Sequence, residues 1–405
     1  MSFSEVHLGE MIHVKHGFAF RGDFFREEGK YVILTPGHFF EAGGFRDRPD
    51  KDRFYVGDFP ESFILPKRSL IIAMTEQGAG LLGSSALVPE DDRYLHNQRI
   101  GLVTITEPDL LDDEYLYRLF NTRAVRAQIN ASASGTKVRH TAPERVYRVK
   151  VSIPTIDVQR KIASAIAQYD ALIENNRRRI ALLEKAAGLL YEEWFVRFRF
   201  PGHEHTKFVN DLPEGWKRMR VGDATGFMNR GITPVYDDEA SCLVINQKCI
   251  RGGRLETDFA RRQSKKVPEA KLVQFGDVLI NSTGEGTLGR VAQVLEDLGK
   301  CTVDSHLTIL RPKHEIGLHL FGMALKQREV YLSGQGRGAT NQTELSKDTI
   351  GQLTLDVAPS ELSEEFEAKA EAFQKAIVTL VAQNKILATA RDLLLPRLMS
   401  GEVEV

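Results

Sequence analysis

Cysteine is scarce in this chain. Its 405 residues contain three, Cys242, Cys249 and Cys301, with no Cys-x-x-Cys pair. An odd number without paired spacing argues against a disulfide framework and against a structural zinc site. No apolar run approaches the length of a membrane span. The opening MSFSEVHLGEM lacks the basic and then apolar segments of a signal peptide, so the cytoplasm is the expected compartment. Excess charge is absent too: a formal net charge of -1 excludes indiscriminate adhesion to polyanions.

Signatures of catalysis are also wanting. The chain has no Gly-x-x-x-x-Gly-Lys-Ser/Thr, no Gly-x-Ser-x-Gly, no His-Glu-x-x-His and no Asn/Asp-Pro-Pro-aromatic segment. No Ser/His/Asp or Cys/His set stands out. Gly78-x-Gly80-x-x-Gly83 and Gly284-x-Gly286-x-x-Gly289 fit a dinucleotide fingerprint, and each follows a strand-like run. The fingerprint also requires a helix opening at its third glycine. The residues that follow, SSALVPEDD and RVAQVLEDLG, read as strands and turns, so a glycine-rich strand connection is expected and no cofactor pocket. His203-x-His205 has no other ligand-type cluster beside it and reads as a solvated pair in a linker.

What the chain does have is helical periodicity. In residues 156–198, Ile162, Ile166, Tyr169, Ile173, Asn176, Ile180, Leu183, Ala187, Leu190 and Trp194 alternate by four and three. Near the end, Phe366, Ala370, Phe373, Ile377, Leu380, Asn384, Leu387, Arg391 and Leu394 do the same. This is the spacing of a coiled-coil seam, and each stripe carries one Asn of the kind that fixes register. Two separate amphipathic helices are the plainer alternative. A single stripe cannot be buried alone, so the two helices are expected to pair antiparallel. A helix of about 40 residues spans roughly 60 Å.

Around the helices the chain repeats itself. VHLGEMIHVKHGFAF answers to MRVGDATGFMNRGITP, YVILTPGHFFEAGGF (31–45) to LVINQKCIRGGRLE (243–256), and SLIIAMTEQGAGLLGSSALV (69–88) to DVLINSTGEGTLGRVAQV (277–294). Apolar strands follow in both copies, then a helix (115–129; 317–332), a glycine-rich loop (131–141; 333–343) and a strand ending in proline. The organisation predicted is α+β: two repeated domains, 1–155 and 216–359, joined by helices 156–200 and 360–405 in a pseudo-twofold antiparallel coiled coil, with a linker at 201–215.

Local charge departs from the average. Lys248, Arg251, Arg254, Arg261, Arg262, Lys265 and Lys266 cluster against only Glu256 and Asp258. Lys137, Arg139, His140, Arg145, Arg148 and Lys150 cluster against Glu144. Such patches suit a protein that meets nucleic acid on chosen faces. Arg or Lys forks onto guanine and Asn or Gln onto adenine. The candidate DNA contacts are therefore Gln247, Lys248, Arg251, Arg254, Arg337, Asn341 and Gln342 in the second copy, and Thr75, Gln77, Lys137, Arg139 and His140 in the first. Any one of them alone could be a solvated surface residue. Leu189, Tyr191, Trp194 and Phe195, with Leu393, Leu395, Leu398 and Met399, exceed what a two-helix seam covers. They await either another subunit or cover from the chain's own domains.

Taken together, GLLYEEWFVRFRFP (188–201), LPEGW (212–216), RDLLLPRLMSGEVEV (391–405) and GDVLINSTGEGTLGRVA (276–292) resemble the DNA-specificity subunit of type I restriction–modification systems. The resemblance covers essentially the whole chain. It implies two target-recognition domains, each reading one half of a split asymmetric DNA site, and helices that set the spacing. It also implies a non-catalytic subunit without cofactor, partnered by two methylation subunits that hold S-adenosylmethionine and by ATP-using restriction subunits. The first recognition domain starts almost at residue 1, so the C-terminal residues are expected to complete that end of the structure. A coiled-coil scaffold binding other proteins, or an enzyme binding a nucleotide at its glycine-rich segments, are the competing readings.

Overall fold

The computed structural model describes residues 3–76, 80–135, 138–284, 286–336 and 344–405. The chain divides into two compact units, Met1–Glu174 with Lys385–Val405, and Asn175–Asn384.

In the first unit, Phe3–His7 pairs antiparallel with Lys150–Pro154, closing the unit's β layer at its start and end. Its main sheet runs Ile12–His16, Ile100–Ile105, Leu70–Ala73, Ser85–Leu87, all antiparallel. A second sheet of five very short strands contains one parallel pair, Tyr31–Ile33 with Tyr94–Leu95. The second unit has the same order. Lys217–Arg220 pairs with Thr354–Val357, and the main sheet runs Thr225–Arg230, Leu307–Pro312, Val278–Asn281, Val291–Gln293. Its smaller sheet again holds a parallel pair, Cys242–Ile245 with Cys301–Val303.

Register carries the likeness to the residue at the central strands, although Thr225–Phe227 holds a bulge that the first unit's strand lacks. Ala73 faces Ile100 as Asn281 faces Leu307, and Ile72 faces Ser85 as Ile280 faces Val291. Leu70–Ala73 and Val278–Asn281 are buried on both faces, which is why they read as unbroken apolar runs rather than alternating ones.

The helix expected at 115–129 is two helices, Asp113–Phe120 and Arg123–Ala131. Asn121 leaves the helical path because its side chain is bonded to Ser85, accepting from the Ser85 backbone N–H at 3.1 Å and donating to the hydroxyl at 2.8 Å. Thr122 then caps the second helix by accepting from the Val125 N–H. The counterpart at 317–332 is likewise split, into Leu318–Lys326 and Glu329–Ser333.

The central helix runs Ile156–Tyr191 and continues into a π turn, Glu192–Val196; the C-terminal helix runs Ser360–Met399. Every apolar seam position is buried or half-buried. In the second unit Asn176 donates to Asn384 at 3.0 Å, Ile180 packs with Ile377 and Leu380, and Tyr191, Trp194 and Phe195 meet Phe366. Numbers rise along one helix as they fall along the other. In the first unit Asp170 accepts from Arg391 at 2.7 Å, and Ile162 and Ile166 share a core with Leu398 and Met399. The C-terminal residues thus complete the first unit, and Gly401 comes so near Phe3 that a Cβ there would lie 2.6 Å from the ring.

His96 shows how the first unit depends on pH. It is fully buried; its Nε2 meets the Ile100 carbonyl at 2.9 Å, while Nδ1 has no partner among the described residues. Burial pulls its pKa from 6.5 down to about 4. The unfolded chain therefore binds the proton first. Stability from the neutral ring is full above about 6.5 and is lost as pH falls toward about 4. Unfolding free energies from denaturant titrations at neutral pH and near pH 4 are expected to differ by ~3 kcal/mol on this account, and His96→Gln should lose that share of the pH dependence.

Among the described residues no helix is long and apolar enough to cross a membrane, and no three His, Cys, Asp or Glu side chains are grouped to hold a metal. The three cysteines are buried and unpaired; burial pushes the thiols of Cys249 and Cys301 up to about 11 and about 12.

Candidate nucleic-acid interface

In each unit a strand end and a returning segment are zipped together by backbone hydrogen bonds. In the first, Thr75 bridges His140, Glu76 N donates to Arg139 O at 2.8 Å, and Thr141 N donates to Met74 O at 2.9 Å. In the second, Thr283 bridges Glu344 and Leu345 N donates to Ser282 O at 2.9 Å. Thr75, Arg139 and His140 are thereby brought to one place. Gln77, Lys137, Arg337, Asn341 and Gln342 lie outside the described residues.

The glycines serve backbone shape. Gly80 and Gly83 have φ of +79° and +75°, Gly286 and Gly289 of +71° and +79°. Such values favour glycine. A Cβ at Gly289 would stand 2.4 Å from the Ser333 nitrogen, so that loop also needs the close approach. Strands, not helices, follow both loops.

An arginine pins each loop, and composition alone did not single out either one. Arg126 donates to the carbonyls of Leu82 at 3.0 Å, Glu41 at 3.1 Å and Gly80. Arg290 donates to Gly286 O at 2.9 Å and Ile250 O at 3.3 Å.

The basic residues divide by what they already hold. The Arg139 guanidinium is turned onto Asn130, closing the end of helix Arg123–Ala131. Gln247 is half-buried under the second glycine loop and accepts from the Thr287 hydroxyl at 3.2 Å. Arg254 forks onto Glu184 of the central helix, with both nitrogens 2.5 Å from the carboxylate oxygens. These three are half-buried and already bonded. Lys248 and His140 are exposed.

Arg251 is exposed and lies 4.0 Å over the ring of Phe259; Arg261 lies 3.7 Å over Tyr236. Phe259 ends the 3-10 turn Thr257–Phe259 and Arg261 opens the strand Arg261–Gln263 two residues on. Asn246 holds that stretch by donating to Phe259 O at 2.6 Å. Arg251, Phe259, Arg261 and Tyr236 make a row of exposed guanidinium plates stacked on exposed rings. Arg251 Nε also donates to the Lys248 carbonyl at 2.9 Å and lies 3.7 Å from Glu256, so stacking leaves its terminal nitrogens for phosphate or guanine. Phe259 and Tyr236 escaped the sequence reading because their pairing with arginine is made by the fold. Beside the Gly43-Gly44 turn of the first unit, exposed Phe40 carries Arg46 at 5.9 Å.

Residues 2–185 match the family model described as the type I restriction modification DNA specificity domain. Over that stretch the chain is similar to the DNA specificity domain of type I restriction–modification systems. The MjaIX specificity subunit of Methanocaldococcus jannaschii is 26% identical over 75% of this chain and 72% of its own length. The HindI specificity subunit of Haemophilus influenzae is 23% identical over 77% of this chain and 82% of its own. Among solved structures, the type I restriction–modification S subunit from M. genitalium is 16% identical and covers 98% of this chain and 96% of its own, with a TM-score of 0.58. At that identity the likeness is one of fold.

For this chain the apolar surplus on the helices needs correction. Tyr191, Trp194 and Phe195 are buried in the second unit's core with Trp216 and Phe366, and Leu398 and Met399 in the first unit's core with Leu395 packed against it. The chain's own domains cover them, so they offer no face to another subunit. Leu189 and Leu393 remain exposed.

Proposed function

We propose that this specificity subunit reads a split, asymmetric DNA sequence through two target-recognition domains, 1–155 and 216–359, one for each half. Helices 156–200 and 360–405 form an antiparallel coiled coil that sets the spacing, with 201–215 as linker. The observation that carries this reading is one strand order repeated around two glycine loops, with different polar side chains presented beside each. Equal scaffolds with unequal contacts suit two unlike half-sites. In the second domain the Arg251–Phe259–Arg261–Tyr236 row and Lys248 are the contacts of choice, with Arg337, Asn341 and Gln342 retained from the sequence. In the first they are Thr75, His140, Gln77 and Lys137. Arg139, Gln247 and Arg254 act as braces.

The subunit is non-catalytic and cytoplasmic. It binds no cofactor and recruits two methylation subunits carrying S-adenosylmethionine, with restriction subunits supplying ATP-driven chemistry. Co-expression with the neighbouring subunits followed by methylation mapping of host DNA is expected to return one bipartite asymmetric motif; a continuous motif, or none, refutes the reading.

Within such a complex, Arg251→Ala is expected to weaken cognate-duplex binding by ~1–3 kcal/mol through lost guanine contact. Titration against a random duplex separates the roles, since an equal loss there reassigns the guanidinium to a phosphate.

A further inference from the structure

The Arg254–Glu184 fork points to a second kind of specificity residue. Arg254 belongs to a minimal hairpin, Ile250–Arg251 against Arg254–Leu255, turned by Gly252 and Gly253 at φ of +54° and +70°. Directly across that hairpin stands Arg251, the first plate of the exposed row. Glu184 sits on the central helix beside Leu183, which packs on the Ile180, Ile377 and Leu380 cluster. Bidentate geometry fixes direction as well as distance, because both guanidinium bonds must be kept together. In the first unit the position matching Arg254, after its own Gly-Gly turn, is Phe45, which packs on Tyr94 instead.

We propose that Arg254 and Glu184 form a strut that fixes the angle of the second reading hairpin on the helix, so that the subunit rejects DNA sites of the wrong spacer length. Both are positioning residues and touch no base. The inference rests on the split-site reading above. Ile250 and Leu255 seat the hairpin on the domain core and Arg290 bonds the Ile250 carbonyl, while the fork ties it to the central helix; loss of that tie lets Arg251 reach half-sites displaced along the duplex.

The test uses the full complex with its methylation subunits, on duplexes carrying the mapped site with its spacer lengthened or shortened by one base pair, and with single-base changes in each half. Glu184→Ala and Arg254→Ala are expected to keep the base preference of both halves while raising methylation of the off-spacer sites about fivefold relative to the cognate one. The charge swap E184R/R254E should restore discrimination, which a general loosening of the fold would not do. An unchanged spacer profile in Glu184→Ala overturns the strut. So does a changed base preference in Arg254→Ala that Glu184→Ala lacks, since Arg254 would then touch DNA directly. A wild-type complex that methylates no split site removes the underlying reading, and the strut with it.

Discussion

Replacing Phe366 with alanine is expected to cost ~3–5 kcal/mol of stability. Phe366 is fully buried at the first seam position of the C-terminal helix, with ring centroids of Phe195, Trp194 and Tyr191 at 4.8, 5.8 and 6.5 Å. Phe195 in turn meets Trp216 at 5.2 Å. Truncation removes the buried ring and leaves a cavity walled by large, mutually braced aromatics that have little freedom to collapse into it. The chain's two tryptophans, Trp194 and Trp216, both sit in this cluster, so their fluorescence follows its unfolding directly. Urea titration should show a lower midpoint with an unchanged slope, and Phe366→Leu should lose much less. A cost below ~1 kcal/mol would mean that the neighbouring rings repack to fill the space.

That cluster also marks the limit of what the sequence discloses. Period alone placed Phe366, Ile180 and Ile377 on seams, because a 3.5-residue repeat is a local property of the chain. It also put one Asn on each stripe, Asn176 and Asn384, and the fold brings these side chains together across 208 residues. Period does not say what lies on the far side of the stripe. Tyr191, Trp194 and Phe195 looked like surface for a partner because their cover, Trp216 and the strands beyond it, arrives only by folding. The same holds for the arginines. Arg251 and Arg254 are indistinguishable by type and neighbourhood, yet one stacks on Phe259 eight residues away and the other is drawn to Glu184, 70 residues earlier. Residue type named the chemistry on offer; tertiary contact decided which groups stay free to use it.

The ion pair inside the second unit gives the other large effect. Asp277 is fully buried, accepts from Arg311 Nε and Nη2 at 2.8 Å each, and accepts from the Gln274 N–H at 2.8 Å. Arg311→Met strands that carboxylate without its cation and is expected to destabilise the protein by ~3–5 kcal/mol. The pair itself is not demanded by the fold. Val294 N donates to Asp277 O just as Val88 N donates to Ser69 O in the first unit, so Ser69 holds the matching place. Leu70 faces Val103 as Val278 faces Leu310, which sets Thr104 against Arg311. One copy of the fold is therefore built with neutral residues at the two places where the other has charges. The double variant D277S/R311T should recover most of the stability lost in Arg311→Met, because neither charge is left buried alone. Denaturant titrations of the three proteins decide it: a double variant as unstable as Arg311→Met would mean that the bidentate bonds, and not relief from an unpaired charge, hold this edge of the sheet.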